Sequence, residues 1–174
     1  MLIETDRLHL RLLRDDDGDA AAMLELLNEP GFHRHIGDRG VRTLEQAREC
    51  IRVGPMVSYD RHGYGMYAVQ RRSDGAWLGN AGLVHRAALP HPDLGYALLE
   101  RYTGQGYARE AARAVLGYAR ATLGLGNVCA IVAPGNARSS ALLHELDFRA
   151  NGTVRLPGKD ETLLFYLNKP ATPG

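Results

Sequence analysis

The residues that most directly suggest chemistry are two glycines, Gly104 and Gly106, in the stretch ERYTGQGYAREA. They stand where a strand pattern ends and a helix pattern begins. Because glycine has no Cβ atom, backbone here can bend sharply and direct several N–H groups at one point. The first turn of the following helix adds unpaired N–H groups and the positive end of its dipole. This spacing is typical of a phosphate-binding turn, although a plain tight turn would use the same glycines.

Two common phosphate-binding motifs do not fit this stretch. A P-loop requires Gly-Lys followed by Ser or Thr, and the stretch contains no lysine. A dinucleotide-binding motif requires a third glycine, where this chain has Arg109, and it belongs to the first strand-helix-strand unit of a domain. Both of these classes are therefore excluded.

Hydrophobic periodicity predicts the elements that position the glycines. Residues 7–13 alternate leucine with arginine or histidine, which is typical of a half-buried strand. Ser73-Asp74-Gly75 indicates a hairpin. The apolar run 128–133 predicts a buried central strand, and Asn136 suits the N-cap of the short helix after it.

The complete pattern predicts the order β-α-α-β-β-β-α-β-α-β, hence an α/β (α+β) fold with a mixed central sheet flanked by helices. One domain is expected over residues 1–168, with a disordered tail at 169–174. Thr43 and Gln46 fit a capping box at the second helix, and Gly54-Pro55 should break or kink that helix.

Composition excludes several classes of function. The net charge of +1 gives no basic footprint for nucleic acid. No apolar run approaches the roughly 20 residues of a membrane helix, and the N-terminus does not resemble a signal peptide. Two cysteines and scattered histidines do not form a metal site or a disulfide framework. We therefore expect a metal-free cytoplasmic protein.

Four segments resemble a known family in the same order along the chain. The run Arg101-Tyr102-Thr103-Gly104-Gln105-Gly106 fits the pattern R/Q-x-x-G-x-G/A. It resembles the acetyl-CoA pyrophosphate loop of the GNAT N-acetyltransferases. The longer stretch DLGYALLERYTGQGYAREA is similar to the ribosomal-protein N-terminal acetyltransferase (RimJ/RimL-type) group. The segments ETDRLHLRLL, WLGNAGL and NARSSALLHELDF extend the resemblance over nearly the whole chain.

The resemblance implies acetyl-CoA as co-substrate. The pantetheine arm is expected beside Leu98 and Leu99, in a gap between this strand and the strand at 128–133, which splay apart. Asn136 matches a residue that contacts the same arm, and it can cap its helix as well. Backbone amides of the loop are expected to hold the pyrophosphate, with Arg101 and Arg109 as possible sources of charge. The loop residues are Arg101, Tyr102, Thr103, Gly104, Gln105, Gly106, Tyr107 and Ala108.

The resemblance also suggests catalytic residues. In many family members the general acid is a tyrosine, at the position of Leu143 in this chain. In the ribosomal group the acid role has been assigned to a serine, which corresponds to Ser139. An alternative role for Ser139 is to close the first turn of its helix. Asp93 matches a glutamate expected at the mouth of the gap, where it would act as a base through a water molecule, bind the acceptor or be purely structural. His85 and His91 are alternative bases.

The implied function is acetyl transfer from acetyl-CoA to a primary amine in a ternary complex. The amine could belong to a protein N-terminus or to a small molecule such as a polyamine, an amino acid or an aminoglycoside. Candidate acceptor-site residues are His33, Arg34, His35 and Tyr64. The alternative is a non-catalytic acyl-CoA-binding or sensing module, which Leu143 favours. Either a monomer or a homodimer is compatible with the sequence, and the last strand, ETLLFYL, could pair across a dimer.

One position departs from the family pattern without affecting chemistry. Asp147 stands where relatives carry glycine at the end of the last helix. We expect a left-handed backbone there, which Asp tolerates better than most residues.

Overall fold

The computed structural model describes residues 2–170, and its strands form one sheet with helices on both faces. The strands are β1 (Ile3–Glu4), β2 (Leu8–Leu12), β3 (Met66–Arg71), β4 (Trp77–Val84), β5 (Asp93–Leu98), β6 (Val128–Val132), β7 (Arg149–Val154) and β8 (Leu163–Asn168). The helices are α1 (Asp17–Leu27), α2 (Pro30–His35), α3 (Leu44–Ile51), α4 (Val57–His62), α5 (Tyr107–Ala121) and α6 (Ala137–Glu145).

The sheet has the order β1-β2-β3-β4-β5-β6-β8-β7. All neighbouring strands are antiparallel except β5 and β6, which are parallel and joined by α5. The predicted mixed sheet flanked by helices is therefore confirmed. Residues 171–174 of the predicted tail lie outside the described residues, and both the tail and the single domain over 1–168 stay predictions.

Two apolar layers hold the helices against the sheet. On one face, Val115 and Leu116 of α5 and Leu143 of α6 pack with inward residues of the central strands. On the other face, α1 and α3 bury Met23 and Ile51.

Local signals in the sequence account for most of these elements. The capping box predicted at Thr43 and Gln46 is present, and Asn136 caps α6 through a bond from the Ser139 N–H. Gly54-Pro55 does not end the helix: the chain widens into a π-helical turn at Arg52–Met56 and continues as α4. Such a turn accommodates a proline, which has no N–H to donate and crowds the preceding turn.

Three elements were not predicted from the sequence. β1 is two residues long, and α2, which begins at Pro30, is an additional helix that the predicted order does not contain. β7 is an exposed strand at the edge of the sheet and carries no apolar alternation. Because β7 covers one edge of β8 and β6 covers the other, the suggestion that β8 pairs across a dimer is wrong.

Gly117 on the outer side of α5 permits a stability test that leaves the site intact. It is exposed in the helix interior, and a Cβ atom there would meet nothing within 4 Å. Replacing Gly117 with alanine is expected to raise the free energy of unfolding by about 0.5–1 kcal/mol, because alanine has less conformational freedom to lose. Urea denaturation would measure the change, and a decrease would contradict the helix as described.

Candidate active site

A gap opens between β5 and β6 because the two strands share very little hydrogen bonding. Within residues 2–170, their pairing is confined to Asp93 opposite Cys129, next to a 2.9 Å bond from the Cys129 N–H to the Pro92 carbonyl. Beyond this point the strands diverge. The splayed pair expected from the family resemblance is therefore present, with its closed end at Asp93.

The free edge of β5 faces the gap with polar backbone groups. The Leu99 N–H donates to the Leu78 carbonyl of the β4 side at 2.9 Å. Because backbone groups alternate along a strand, those of Tyr96 and Leu98 point the opposite way, into the gap. Leu98 is half-buried at this edge, whereas Leu99 is 1% exposed and its amide is already paired. Leu98 therefore lines the gap with both its backbone groups and its half-buried side chain, whereas Leu99 contributes mainly to the core.

The loop after β5 forms a cluster of unpaired backbone donors. Gly104 and Gly106 both have left-handed backbone, with φ of 74° and 83°. Among the described residues, no hydrogen-bond acceptor is found for the backbone N–H groups of residues 104–109. These amides lie at the N-terminus of α5, where the helix dipole favours negative charge. The arrangement can bind a phosphate.

The remaining loop residues shape this turn from within. Tyr102 lies in a short 3₁₀ turn, Glu100–Tyr102, and Thr103 donates through both its N–H and its hydroxyl to the Glu100 carbonyl. The Gln105 side chain donates to the Arg101 carbonyl at 3.3 Å. Tyr107 is buried and begins α5, and Ala108 follows it, half-buried.

The two arginines considered as phosphate ligands are engaged elsewhere. The guanidinium of Arg101 forms an ion pair with Glu25 of α1 and lies over the Tyr102 ring. Arg109 pairs with Glu145 of α6 at 2.8 Å. Both side chains are about half exposed, so either could exchange its partner for an anion.

Arg7 supports the loop and was missed by the sequence analysis. Its guanidinium donates to the Gln105 carbonyl at 3.0 Å, pairs with Glu110 at 2.6 Å and lies 4.4 Å from the Tyr107 ring centroid. Thr5 also donates to Glu110, at 2.6 Å. The N-terminal segment therefore holds the first turn of α5, a contact between residues too far apart in sequence for any local pattern to reveal.

On the opposite side of the gap, α6 carries the polar residues expected from the family. The Asn136 side chain accepts from the Ser139 N–H at 3.2 Å. The half-buried Ser139 hydroxyl lies 2.7 Å from the hydroxyl of Tyr96 on β5. Leu143, at the position of the tyrosine found in many relatives, is completely buried in the core. Ser139 and Tyr96 thus bring their hydroxyl groups together here, and no local pattern in the sequence had pointed to Tyr96.

Asp93 lies at the closed end of the gap rather than at its mouth, which corrects the expected position. It is the first residue of β5, opposite Cys129, and only 4% of its surface is exposed. Burial raises the pKa of its carboxyl from 3.8 to about 6, although a 3.0 Å bond from Arg86 to Oδ2 and the nearby Ile131 N–H oppose the shift. Its Oδ1 is buried and has no hydrogen-bond partner among residues 2–170. A buried carboxylate with one free oxygen can accept a proton.

The alternative bases and the acceptor-site candidates are distributed more widely. His85 stacks on His62 with ring centroids 4.1 Å apart, and the His91 carbonyl accepts from the Cys129 thiol. His33 lies 3.6 Å from Asp38, and Tyr64 is buried. Arg34 and His35 end the short helix α2. None of these contacts joins the residues of α2 to the gap, so their role at the acceptor site stays a prediction.

Among residues 2–170, no group of three or more His, Cys, Asp or Glu side chains is arranged to hold a metal ion. Within the same residues, none of the helices combines the length and the apolar character required to cross a membrane.

Comparisons with known proteins agree with this geometry. The N-acetyltransferase YoaA of Bacillus subtilis, itself uncharacterized, is 28% identical over 156 residues, which cover 88% of this chain and 86% of YoaA. The structure of an acetyltransferase from Agrobacterium tumefaciens is 25% identical with a TM-score of 0.80, covering 97% of this chain and 94% of that one.

A third protein shares the fold at lower identity. It is RimL, a ribosomal alpha-N-protein acetyltransferase whose structure was solved in complex with coenzyme A. It is 20% identical, with a TM-score of 0.79 and 97% of each chain covered. The model of the acetyltransferase (GNAT) domain family matches residues 7–149, which include the gap, the glycine loop and α6. This chain therefore belongs to the GNAT acetyltransferase family.

Proposed function

We propose that the protein transfers the acetyl group of acetyl-CoA to a primary amine while both substrates are bound. The observation that carries this proposal is a row of backbone N–H groups at residues 104–109 that find no acceptor within residues 2–170, at the end of a strand that diverges from its neighbour. Such a row is suited to a pyrophosphate, and the diverging strand offers an extended edge to the amide-containing arm attached to it.

The residues present fit acetyl-CoA in their chemistry. Gly104 and Gly106 keep the loop backbone open to close approach, since neither carries a Cβ atom over the amides. The backbone of Tyr96 and Leu98 is free to bond with pantetheine amides, and Asn136 borders the same gap. We include residues 101–108 in the cofactor-binding loop, with Arg101 contributing backbone and Leu99 supporting Leu98 from the core.

In this proposal, Asp93 serves as the general base. Acetyl-CoA supplies an activated acetyl thioester, and the attacking amine must first lose its proton. With its pKa near 6, the Asp93 carboxyl is ionised at pH 7, and its free Oδ1 can take up that proton through a water molecule. Arg86 holds Oδ2 and so fixes the orientation of the carboxylate.

Two further groups stabilise the charge that moves during transfer. The backbone N–H of Leu98 is proposed to donate to the acetyl carbonyl oxygen as negative charge develops there. The Ser139 hydroxyl donates to the leaving sulfur, which is finally protonated while solvent restores the serine proton. Most of the acceleration is attributed to holding both substrates in position.

The acceptor is proposed to be a protein N-terminal residue or a small amine. RimL, named as a ribosomal alpha-N-protein acetyltransferase, has the same fold, which supports the first class only at the level of fold. The second candidate function, an acyl-CoA-binding module without turnover, is favoured by one observation. Leu143 fills the position of the usual tyrosine and is fully buried, so it provides no acid.

Release of free CoA from acetyl-CoA distinguishes these functions. The purified protein would be assayed with peptides bearing free Ala, Ser, Thr or Met N-termini and, separately, with polyamines, amino acids and aminoglycosides. Amine-dependent release in either pool is expected and would identify the acceptor class. Binding of acetyl-CoA without release in both pools would contradict the proposal and favour the binding module.

A further inference from the structure

Tyr96 and Ser139 form a hydroxyl pair across the gap. Tyr96 belongs to β5 and Ser139 to the first turn of α6, which follows β6, so their 2.7 Å contact joins the two diverging arms. Tyr96 also lies 3.3 Å from the Ser139 carbonyl, to which its hydroxyl can donate. Because a phenol carries one hydrogen, Tyr96 donates either to this carbonyl or, over the shorter distance, to the Oγ atom that is proposed to face the leaving sulfur.

A serine in this position needs an external partner to fix its hydroxyl. The Ser139 N–H is already bonded to Asn136, but that bond leaves rotation about the Cα–Cβ bond free. Serine hydroxyls in helices also bond readily to nearby backbone carbonyls. When Ser139 Oγ instead accepts from Tyr96, its own hydrogen remains available for a third group in the gap.

Tyr96 is suited to donate rather than to ionise. Burial raises the pKa of its phenol to about 12, and the bond with Ser139 opposes this only in part. The phenol therefore keeps its proton at any ordinary working pH. Its ring packs against the main apolar core together with Leu98, so phenylalanine would preserve the packing and remove only the hydroxyl.

We propose that Tyr96 is a positioning residue, which holds the Ser139 hydroxyl in the gap with its hydrogen directed at the leaving sulfur. The inference rests on the proposed acetyl transfer and adds a residue to it. Tyr96 exchanges no proton with the substrates. It acts through Ser139, and its hydroxyl has no effect on catalysis once the Ser139 hydroxyl is absent.

The test is a double-mutant cycle with Tyr96→Phe, Ser139→Ala and the double variant. Tyr96→Phe is expected to lower kcat by about 5- to 10-fold, the range of one hydrogen bond. The Kd for acetyl-CoA should change by less than about twofold, because the ring and the loop are intact. The double variant should be no slower than Ser139→Ala, since the second hydroxyl then has nothing left to orient.

Tyr118→Phe is the matched control. Tyr118 lies on α5, in edge-to-face contact with Tyr67 of β3. Because neither β3 nor this contact borders the gap, removing the Tyr118 hydroxyl should leave kcat unchanged. An unchanged kcat in Tyr96→Phe, or independent and additive losses in the double variant, would overturn this inference while leaving acetyl transfer in place. A wild-type protein that binds acetyl-CoA but acetylates no amine would overturn both.

Discussion

Replacing Asp93 with asparagine is expected to lower kcat by about 10²- to 10⁴-fold, the contribution typical of a general base. Asparagine preserves the shape of the side chain but cannot accept the proton that the amine must lose. In the wild type, kcat/KM should fall about tenfold per pH unit below the Asp93 pKa of about 6, because the carboxyl becomes protonated there. Initial rates measured across this pH range would show both effects.

The free energy of unfolding should decrease over the same pH range in which the activity rises. The folded-state pKa of Asp93 is raised, so the folded protein holds this proton more tightly than the unfolded chain does. Its contribution to the free energy of unfolding therefore decreases as pH rises from 3.8 to about 6 and stays low above that range. Because asparagine carries no charge to bury, Asp93→Asn should be at least as stable as the wild type at pH 7.

An exposed carboxylate provides the control for this variant. Asp147 has a left-handed backbone with φ of 66°, as expected for the residue at the end of α6, and asparagine tolerates that conformation well. Asp147→Asn should change neither kcat nor its pH dependence. Full activity in Asp93→Asn would refute the assignment of Asp93 as base, whereas a large loss of stability would contradict the destabilising effect expected of its buried charge.

Replacing Gly106 with alanine is expected to weaken acetyl-CoA binding by about tenfold or more. The left-handed backbone at Gly106 disfavours any Cβ atom by roughly 1–2 kcal/mol. A Cβ atom here would also lie 3.3 Å from the Arg7 guanidinium, which supports the loop. The backbone should relax and turn its amides away from the phosphate position. Calorimetric titration with acetyl-CoA would measure the change in Kd.

Gly124→Ala separates this effect from general backbone strain. Gly124 follows the other end of α5, has φ of 66° and has nothing within 4 Å of its would-be Cβ atom. Both variants should lose similar stability in urea denaturation, but Gly124→Ala should bind acetyl-CoA as the wild type does. Equal affinities in the two variants would mean that the glycine loop does not hold the phosphates.

The sequence predicted those parts of the molecule that depend on local patterns. The spacing of Gly104 and Gly106, the capping box at Thr43 and the N-cap at Asn136 each act within a few residues, so their physical causes are visible in the sequence. The splay of β5 and β6 has no such local cause. It was expected through family resemblance, since pairing between strands depends on the whole sheet.

Contacts between distant segments were the main omissions. Arg7 meets the loop carbonyl of Gln105 across 98 residues, and Tyr96 meets Ser139 across 43. The burial of Asp93 could not be predicted from the sequence either, because it arises from the closed end of the gap and not from its neighbours in sequence. β8 lies inside the sheet because β7 forms the edge beside it. β7 is a polar strand that hydrophobic periodicity does not detect, so the position of β8 could not be predicted.

The central claim, acetyl transfer to an amine, is tested most directly by following an isotope-labelled acetyl group. Acetyl-CoA labelled in its acetyl group would be incubated with the protein and each acceptor pool, and the products would be identified by mass spectrometry. We expect the label on the amine nitrogen of the acceptor, with one acetyl group per amine, and far less labelled product with Asp93→Asn. Label that remains in acetyl-CoA bound to the protein, with no acetylated amine in either pool, would contradict it.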